Sequence, residues 1–359
     1  MSHTINNTRY VSEETKEKVY KAIAELGYTP DASARSFRTG KKRTVGFIVP
    51  DISNKFFGTI IESVENYLSA HGYHLIIANT KEDADREETN IRLLAAGLVD
   101  GLLVASTMED FERFNHLIPA GFPVVLVDRT FETKKYSSIC VSNFQPIYRS
   151  VCRLAAKGAK RIGIVGGLPR LSSTKERISA YREAMADCGL PLDDDLILYG
   201  NSMENSVQSC LDKLLERKCD AIVVCQGLMA SETVIYLHQK GIQLVKDLDL
   251  VSFVDYDSNL YDLYSNQMDC IVQPAEELGR SAGEQILDLR SGLIGRAHSN
   301  KEGLAAFLTH RNKGLQAIRT DIRRNQQRLT GVGFTGKKLI RSHLGIPGSQ
   351  QCGAIQQPV

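Results

Sequence analysis

Short apolar runs recur along most of the chain: Thr44–Val49, His74–Ala78, Gly101–Ala105, Pro123–Val127, Ile139–Val141, Arg161–Val165, Leu196–Tyr199, Ala221–Cys225, Leu248–Val254 and Cys270–Val272. They are rich in Ile and Val, and their continuity predicts strands buried on both faces. Between them the period changes to that of a helix. Phe56, Phe57, Ile60, Ile61, Val64 and Leu68 fall on one stripe, and Ile91, Leu94, Ala95 and Leu98 on another. Strand–helix alternation of this kind implies parallel sheets with helices on both faces. So many strands exceed the usual single sheet, so the pattern predicts an α/β fold of two doubly wound halves facing a cleft. Ligands in such folds sit at the carboxyl ends of the strands.

The two ends of the chain read differently. Near the start, Ser12 can cap a helix, Glu13 and Glu14 suit its positive end, and Val19, Ile23 and Leu26 share one face. Gly27 ends that helix, and Asp31 to Arg38 can form one more short helix before a Gly-Lys-Lys-Arg stretch at 40–43. After Leu289 the alternation stops, and the remainder is expected to be a poorly ordered tail. Charge sharpens the contrast. The net charge is only +2, yet from Arg290 onward there are twelve Lys and Arg against two acids, leaving residues 1–289 at about −8.

Hydrophobic residues make up 42% and charged residues 24%, the balance of a globular protein. No apolar run approaches the ~20 residues that span a bilayer, and the N-terminus has no apolar core of a signal peptide. A cytoplasmic protein without a membrane partner is the expectation. The eight cysteines are scattered without a CxxC or a His/Cys cluster at metal spacing, so buried reduced thiols are expected, with no metal and no cofactor.

Few motifs carry chemistry. The GIVGG at 163–167 lacks the full dinucleotide-binding pattern and reads as a tight strand-to-helix turn. His71, His74 and His116 fall at element ends and read as surface or packing residues. Asp255 and Asp257 follow a buried strand at its ligand-binding end and suit hydroxyl binding better than catalysis, because no partner base is in view. An enzyme is therefore not expected. The strip from Asp31 to Arg43 reads either as a solvated linker or as a phosphate-neutralising segment whose Phe37 wedges into a minor groove.

RYVSEETKEKVYKAIAELGYTPDASARSFRTGKKRTVGFIVPDISNKFFG, residues 9–58, resembles the junction between headpiece and core in LacI/GalR-type repressors. The resemblance continues more loosely through VDGLLVAS (99–106), VVLVDRT (124–130), KERISAY (175–181), VSFVDYDS (251–258) and IVQPAEELGRSAGEQIL (271–287). It implies a helix-turn-helix headpiece and hinge helix over 1–43. A periplasmic-binding-protein-like core follows, with one subdomain over 44–145 plus 274–290 and the other over 146–273. An atypical basic tail occupies 291–359. Three crossovers would join the subdomains, with the effector between them.

Residue by residue, the resemblance implies that Phe56 and Phe57 line the effector pocket and that Asp128, Arg177 and Asp257 contact the ligand. Gln226 and Gly227 stand where many members carry Asn-Asp. An arginine fork plus carboxylates suits a sugar or similar polyol, with a nucleobase-like effector as the other candidate. In the headpiece, Ser2, His3 and Asn6 match the recognition helix, Tyr10 and Ser12 match positions just beyond it, and Phe37, with Arg38 beside it, takes the place of the minor-groove wedge. Met1 falls inside the matching recognition helix, so translation is expected to begin upstream. The family's last strand has no evident counterpart after Leu289, which would leave a sheet edge open. The implied function is a ligand-responsive, homodimeric repressor of operator DNA. The alternative is a sugar-binding remnant without specific DNA binding.

Overall fold

Each apolar run from Thr44 to Val272 folds as a strand, and the central ones are buried from two sides. The computed structural model describes Thr4 and residues 9–26, 42–131, 133, 135–201, 206–254, 267–291, 301–304 and 306–308. A first helix, α1 (Glu13–Leu26), precedes the core. The N-lobe then runs β1 (Thr44–Val49), α2 (Lys55–Ala70), β2 (His74–Asn79), α3 (Ala84–Ala95), β3 (Leu102–Val104), α4 (Phe111–Leu117), β4 (Val124–Val127) and β5 (Ser137–Ser142). The C-lobe runs α5 (Phe144–Lys157), β6 (Ile162–Gly166), α6 (Ser172–Asp187), β7 (Ile197–Tyr199), α7 (Val207–Glu216), β8 (Ala221–Val224), α8 (Gly227–Gln239), β9 (Asp249–Val254) and β10 (Asp269–Val272). The helix α9 (Ala275–Ser291) returns to the N-lobe. Two short strands follow, β11 (Lys301–Leu304) and β12 (Ala306–Leu308).

The sheets are ordered β11-β5-β4-β3-β1-β2 and β12-β10-β9-β8-β6-β7. All neighbours are parallel except β12, which runs antiparallel to β10. Both sheets thus repeat one doubly wound order, with a switch point between the first and third strands of each lobe. Successive residues alternate between the two faces. On β1, Val45, Phe47 and Val49 enter the cluster under α2 and α9, while Ile48 enters the one on the opposite face. On β8, Ile222 and Val224 face one cluster and Ala221 and Val223 the other. This two-sided burial is why the runs are continuous rather than alternating.

Three expectations are corrected here. The run at His74–Ala78 was expected to be buried on both faces, but β2 is the edge strand and exposes Ile76 and Ile77. Leu98, expected on the buried stripe of α3, lies beyond the end of that helix and is half exposed. The third correction concerns the tail. Its alternation does stop at Leu289, but β11 pairs with β5 and β12 with β10, so both sheets gain a closing strand. The third crossover between lobes falls between these two strands. Each is three or four residues long and is held by an existing edge, which a periodicity argument cannot see.

Glycine sets the approach of α9 to α2. A Cβ at Gly279 would stand 2.5 Å from the Ile60 carbonyl oxygen and 2.7 Å from the Ser63 Cβ, where the Ser63 hydroxyl also donates to the Glu276 carbonyl at 2.6 Å. Alanine would add up to about 1 kcal/mol of helix propensity. The contact with backbone cannot yield by rotamer change, so overpacking of about 1–3 kcal/mol should win. Urea unfolding of Gly279→Ala is therefore expected to show a net loss; a gain would mean that the two helices can separate freely.

Candidate functional site

The lobes face each other across the carboxyl ends of their strands, and the loops there supply a polar pocket. Asn54 caps α2, its side chain accepting from the Phe56 N–H at 3.0 Å, which aims Phe56 and Phe57 into the cleft. Asp128 follows β4 with φ of 64°, a left-handed conformation that Asp tolerates better than most residues. It is 8% exposed, and its Oδ1 has no hydrogen-bond partner. Burial pushes its carboxyl above the ordinary range, against the opposing pull of Arg129 and Arg177.

From the other lobe, α6 carries Arg177, 7% exposed. Its Nε donates to Asn143 Oδ1 at 2.8 Å, its Nη1 donates to the Cys225 carbonyl, and its guanidinium lies 3.9 Å from the centroid of the Phe253 ring. Asn143 is itself fixed. The Glu176 carboxylate accepts from the backbone N–H groups of Asn143 and Phe144 at 3.0 and 2.9 Å and so caps α5. Burial lowers the Arg177 guanidinium from its ordinary value, with Cys225 and Asp128 opposing. The Cys225 thiol is pushed up to about 12 by the same burial.

Gln226 stands at the N-terminus of α8, packed so closely on the β6 turn that a Cβ at Gly167 would lie 2.4 Å from its Nε2. The glycines at 163–167 were expected to form a tight strand-to-helix turn; Gly163 and Gly166 instead lie within β6, and all three serve close packing. Phe56, Phe57, Asp128, Arg177 and Gln226 all line the one cleft. Tyr10 and Ser12 are exposed at the start of α1, where the Ser12 carbonyl accepts from the Lys16 N–H at 3.0 Å. Ser2, His3, Asn6, Phe37, Arg38 and Asp257 lie outside the described residues.

Arg129, Glu82 and Gln273 are among the lining residues not singled out from the sequence. Arg129 places its Nη1 and Nη2 on Glu82 at 2.8 and 2.6 Å, and both side chains are largely buried. Burial opposes the charge on Arg129, but Glu82 outweighs it and holds the guanidinium above its ordinary value. Gln273 follows β10 with a buried Nε2 that has no partner. Its position at a strand's carboxyl end was the available signal, and it was passed over because a lone Gln before Pro carries no motif.

The cleft is also bridged directly. Arg170 of the C-lobe donates to the Glu82 carbonyl at 2.7 Å and the Thr107 carbonyl at 3.2 Å, and the Thr130 N–H donates to the Ser172 hydroxyl at 3.1 Å. At the headpiece side, Asp100 accepts from the backbone N–H groups of Lys42 and Arg43 at 3.1 and 2.8 Å and pairs with Arg290 at 3.2 Å.

The raised pKa of Asp128 has a definite sign in stability. The folded state binds its proton more tightly than the unfolded chain does, so the group favours folding at low pH. That contribution is lost as pH rises from ~4 through the folded-state value. Asp128→Asn is expected to raise stability by about 1–2 kcal/mol at pH 7.5, as removal of a group held at a strained functional position commonly does. The advantage should shrink as pH falls toward ~4. Chemical denaturation across pH measures it, and an Asn variant no more stable than the parent at pH 7.5 would contradict the reading.

Two lobes of this topology, with aromatic, carboxylate and guanidinium groups converging between them, define a two-lobed ligand-binding fold of the periplasmic-binding-protein type. Residues 42–309 match the family of periplasmic binding proteins and the sugar binding domain of the LacI family, and residues 1–31 match the bacterial regulatory proteins of the lacI family. The chain belongs to the LacI family of bacterial regulatory proteins, as its junction sequence implied. It is 33% identical over 293 residues to the HTH-type transcriptional repressor PurR of Vibrio parahaemolyticus, covering 80% of this chain and 86% of that protein. Among solved structures, it resembles a transcriptional regulator CelR–cellobiose complex with 26% identity and a TM-score of 0.68, covering 86% of this chain and 93% of that one. It shares the fold of the Lac repressor bound to ONPG in the repressed state, with a TM-score of 0.73, 19% identity and the same two coverages. The chain is thus a ligand-responsive, DNA-binding transcriptional repressor by kinship.

Proposed function

We propose that this repressor senses a sugar or similar hydroxyl-rich effector in its cleft and acts as a cytoplasmic homodimer on operator DNA. The observation that carries the effector reading is the set of buried polar groups aimed into the cleft from both lobes. The Asp128 Oδ1 and Gln273 Nε2 lack partners within the protein, and Arg177 is held rigid between Asn143, Cys225 and Phe253. A buried acceptor, a buried donor and a fixed cation suit a ligand whose hydroxyls both give and take hydrogen bonds. The cellobiose in the similar regulator supports this choice.

Among the described residues, no group of three His, Cys, Asp or Glu could hold a metal ion, and Arg177 and Arg129 serve as hydrogen-bonding anchors. No helix among the described residues is long and apolar enough to cross a membrane. Effector contacts on both lobes would bias their relative poise against the bridges from Arg170 and Ser172. The anchorage of Lys42 and Arg43 on Asp100 ties the headpiece connection to the N-lobe, so movement of that lobe reaches the DNA-binding end. The exposed Ile76 and Ile77 on the edge strand β2 support a self-association surface there.

The test is calorimetric titration with neutral sugars, sugar phosphates and purine bases, followed by DNA binding to fragments flanking the gene, with and without the ligand found. A neutral sugar that binds and alters DNA affinity is the expected result. Binding of a purine base alone would overturn the sugar reading, and no specific DNA retention under any ligand would favour a binding remnant.

A further inference from the structure

On the side of the C-lobe formed by α5 and α6, two sulfurs meet. Cys152 on α5 and Cys188, which caps the end of α6, have their Sγ atoms 3.2 Å apart. A disulfide needs about 2.05 Å, and Sγ atoms that already touch require a shift of about 1 Å, within the reach of side-chain rotation. Both residues are half-buried, so small oxidants can reach them. By contrast, Cys210, Cys219, Cys225 and Cys270 are buried in the lobe's core, and burial pushes the Cys219 thiol up to about 11 and the Cys225 and Cys270 thiols up to about 12. The thiolate is the reactive form, so these four should be inert where the touching pair is not.

We propose that Cys152 and Cys188 are a reversible oxidation site that closes into an intramolecular disulfide. One thiolate attacks the O–O bond of a hydroperoxide and becomes a sulfenic acid, and the departing oxygen leaves as water or alcohol with the thiol proton. The second thiolate then displaces hydroxide from that sulfur, and the hydroxide leaves as water with the second proton. Two thiols are oxidised and one peroxide bond is reduced. Where thiols are kept reduced, the pair rests open and closes only under oxidative load.

Its position gives the bond a structural consequence. α5 and α6 run side by side in one direction. Their starts are joined by Glu176 on the Asn143 and Phe144 N–H groups, and their ends by the Tyr148 hydroxyl, which donates to Asp187 at 2.7 Å beside the two sulfurs. A disulfide would make the far end of this pair covalent, closing a loop across a separation of 36 residues. The same two helices hold Asn143 and Arg177 at their near end.

The experiment treats the full chain with hydrogen peroxide, alkylates the remaining thiols under denaturing conditions and maps peptides without reduction. A peptide pair joining Cys152 to Cys188, two hydrogens lighter and released by dithiothreitol, is expected. A rise in melting temperature on the order of 5 °C should accompany it. Cys152→Ser should abolish both changes while leaving the reduced melting temperature nearly unaltered. Recovery of both cysteines as alkylated thiols from the parent protein, or their appearance as sulfinic acids or in links to other cysteines, would overturn the proposal. A correct link without any change in melting temperature would overturn its bracing role.

Discussion

Replacing Arg177 by alanine should remove about 3 kcal/mol of stability and weaken effector binding roughly ten- to a hundredfold. The guanidinium makes a hydrogen bond to the Asn143 amide oxygen, another to the Cys225 carbonyl, and a stacked contact on Phe253. Hydrogen bonds to a charged group contribute about 1.5–3 kcal/mol each, and the acceptors left behind would be buried without partners at about 1–3 kcal/mol each. Relief of burying a cation offsets part of this, so a loss at the upper end of ordinary substitutions is expected. Affinity should fall roughly ten- to a hundredfold from one lost charged contact. Arg177→Lys separates the effects, because ammonium keeps the charge but cannot place two donors and a flat face at once. Denaturant unfolding and calorimetry with the effector check both numbers. Unaltered affinity in the lysine variant would remove Arg177 from the ligand's contacts.

Arg129→Ala should be at least as damaging to folding, with a loss of about 3–5 kcal/mol, the range for breaking one partner out of a buried pair. Its fork neutralises Glu82, and its Nε lies 3.9 Å from Asp128 Oδ2, so alanine leaves two carboxylates facing each other in the cleft. Glu82 has a positive φ of 56°, and Lys81 before it 53°, so this loop holds an unfavourable backbone that the ion pair secures. Glu82→Gln in the Arg129→Ala background should therefore add little. A double-mutant cycle should return a coupling of about 2 kcal/mol. Additive losses from the two substitutions would show that Arg129 is held by its apolar packing rather than by Glu82.

Much of this site was legible before any coordinates. Asp128 stands where a continuous apolar run gives way to polar residues, Phe56 and Phe57 open an amphipathic stripe, and Arg177, inside α6, was marked only by the family resemblance. Such boundaries mark the carboxyl ends of strands, where this fold builds its sites. Arg129 and Glu82 were missed although Arg129 adjoins Asp128, because their meaning lies in a pairing across 47 residues. Gln273 was marked only by its place at the carboxyl end of β10, with no chemical motif around it. The sulfur pair was read as scattered buried thiols for the same reason, since Cys152 and Cys188 belong to different helices.

The sequence by itself determined the α/β class, the two lobes and the family, because strand and helix periods and the junction motif are local properties of the chain. Tertiary structure alone decided which strand lies at an edge. HLIIAN has the composition of a buried strand, yet pairing on only one side leaves β2 half exposed. It also decided that KEGL and AFL would close the two sheets, since strands of three or four residues are stabilised by the edge they meet rather than by their own pattern. Buried ion pairs and touching sulfurs follow the same logic. Their partners lie tens of residues apart, and only the folded path of the backbone brings them within reach.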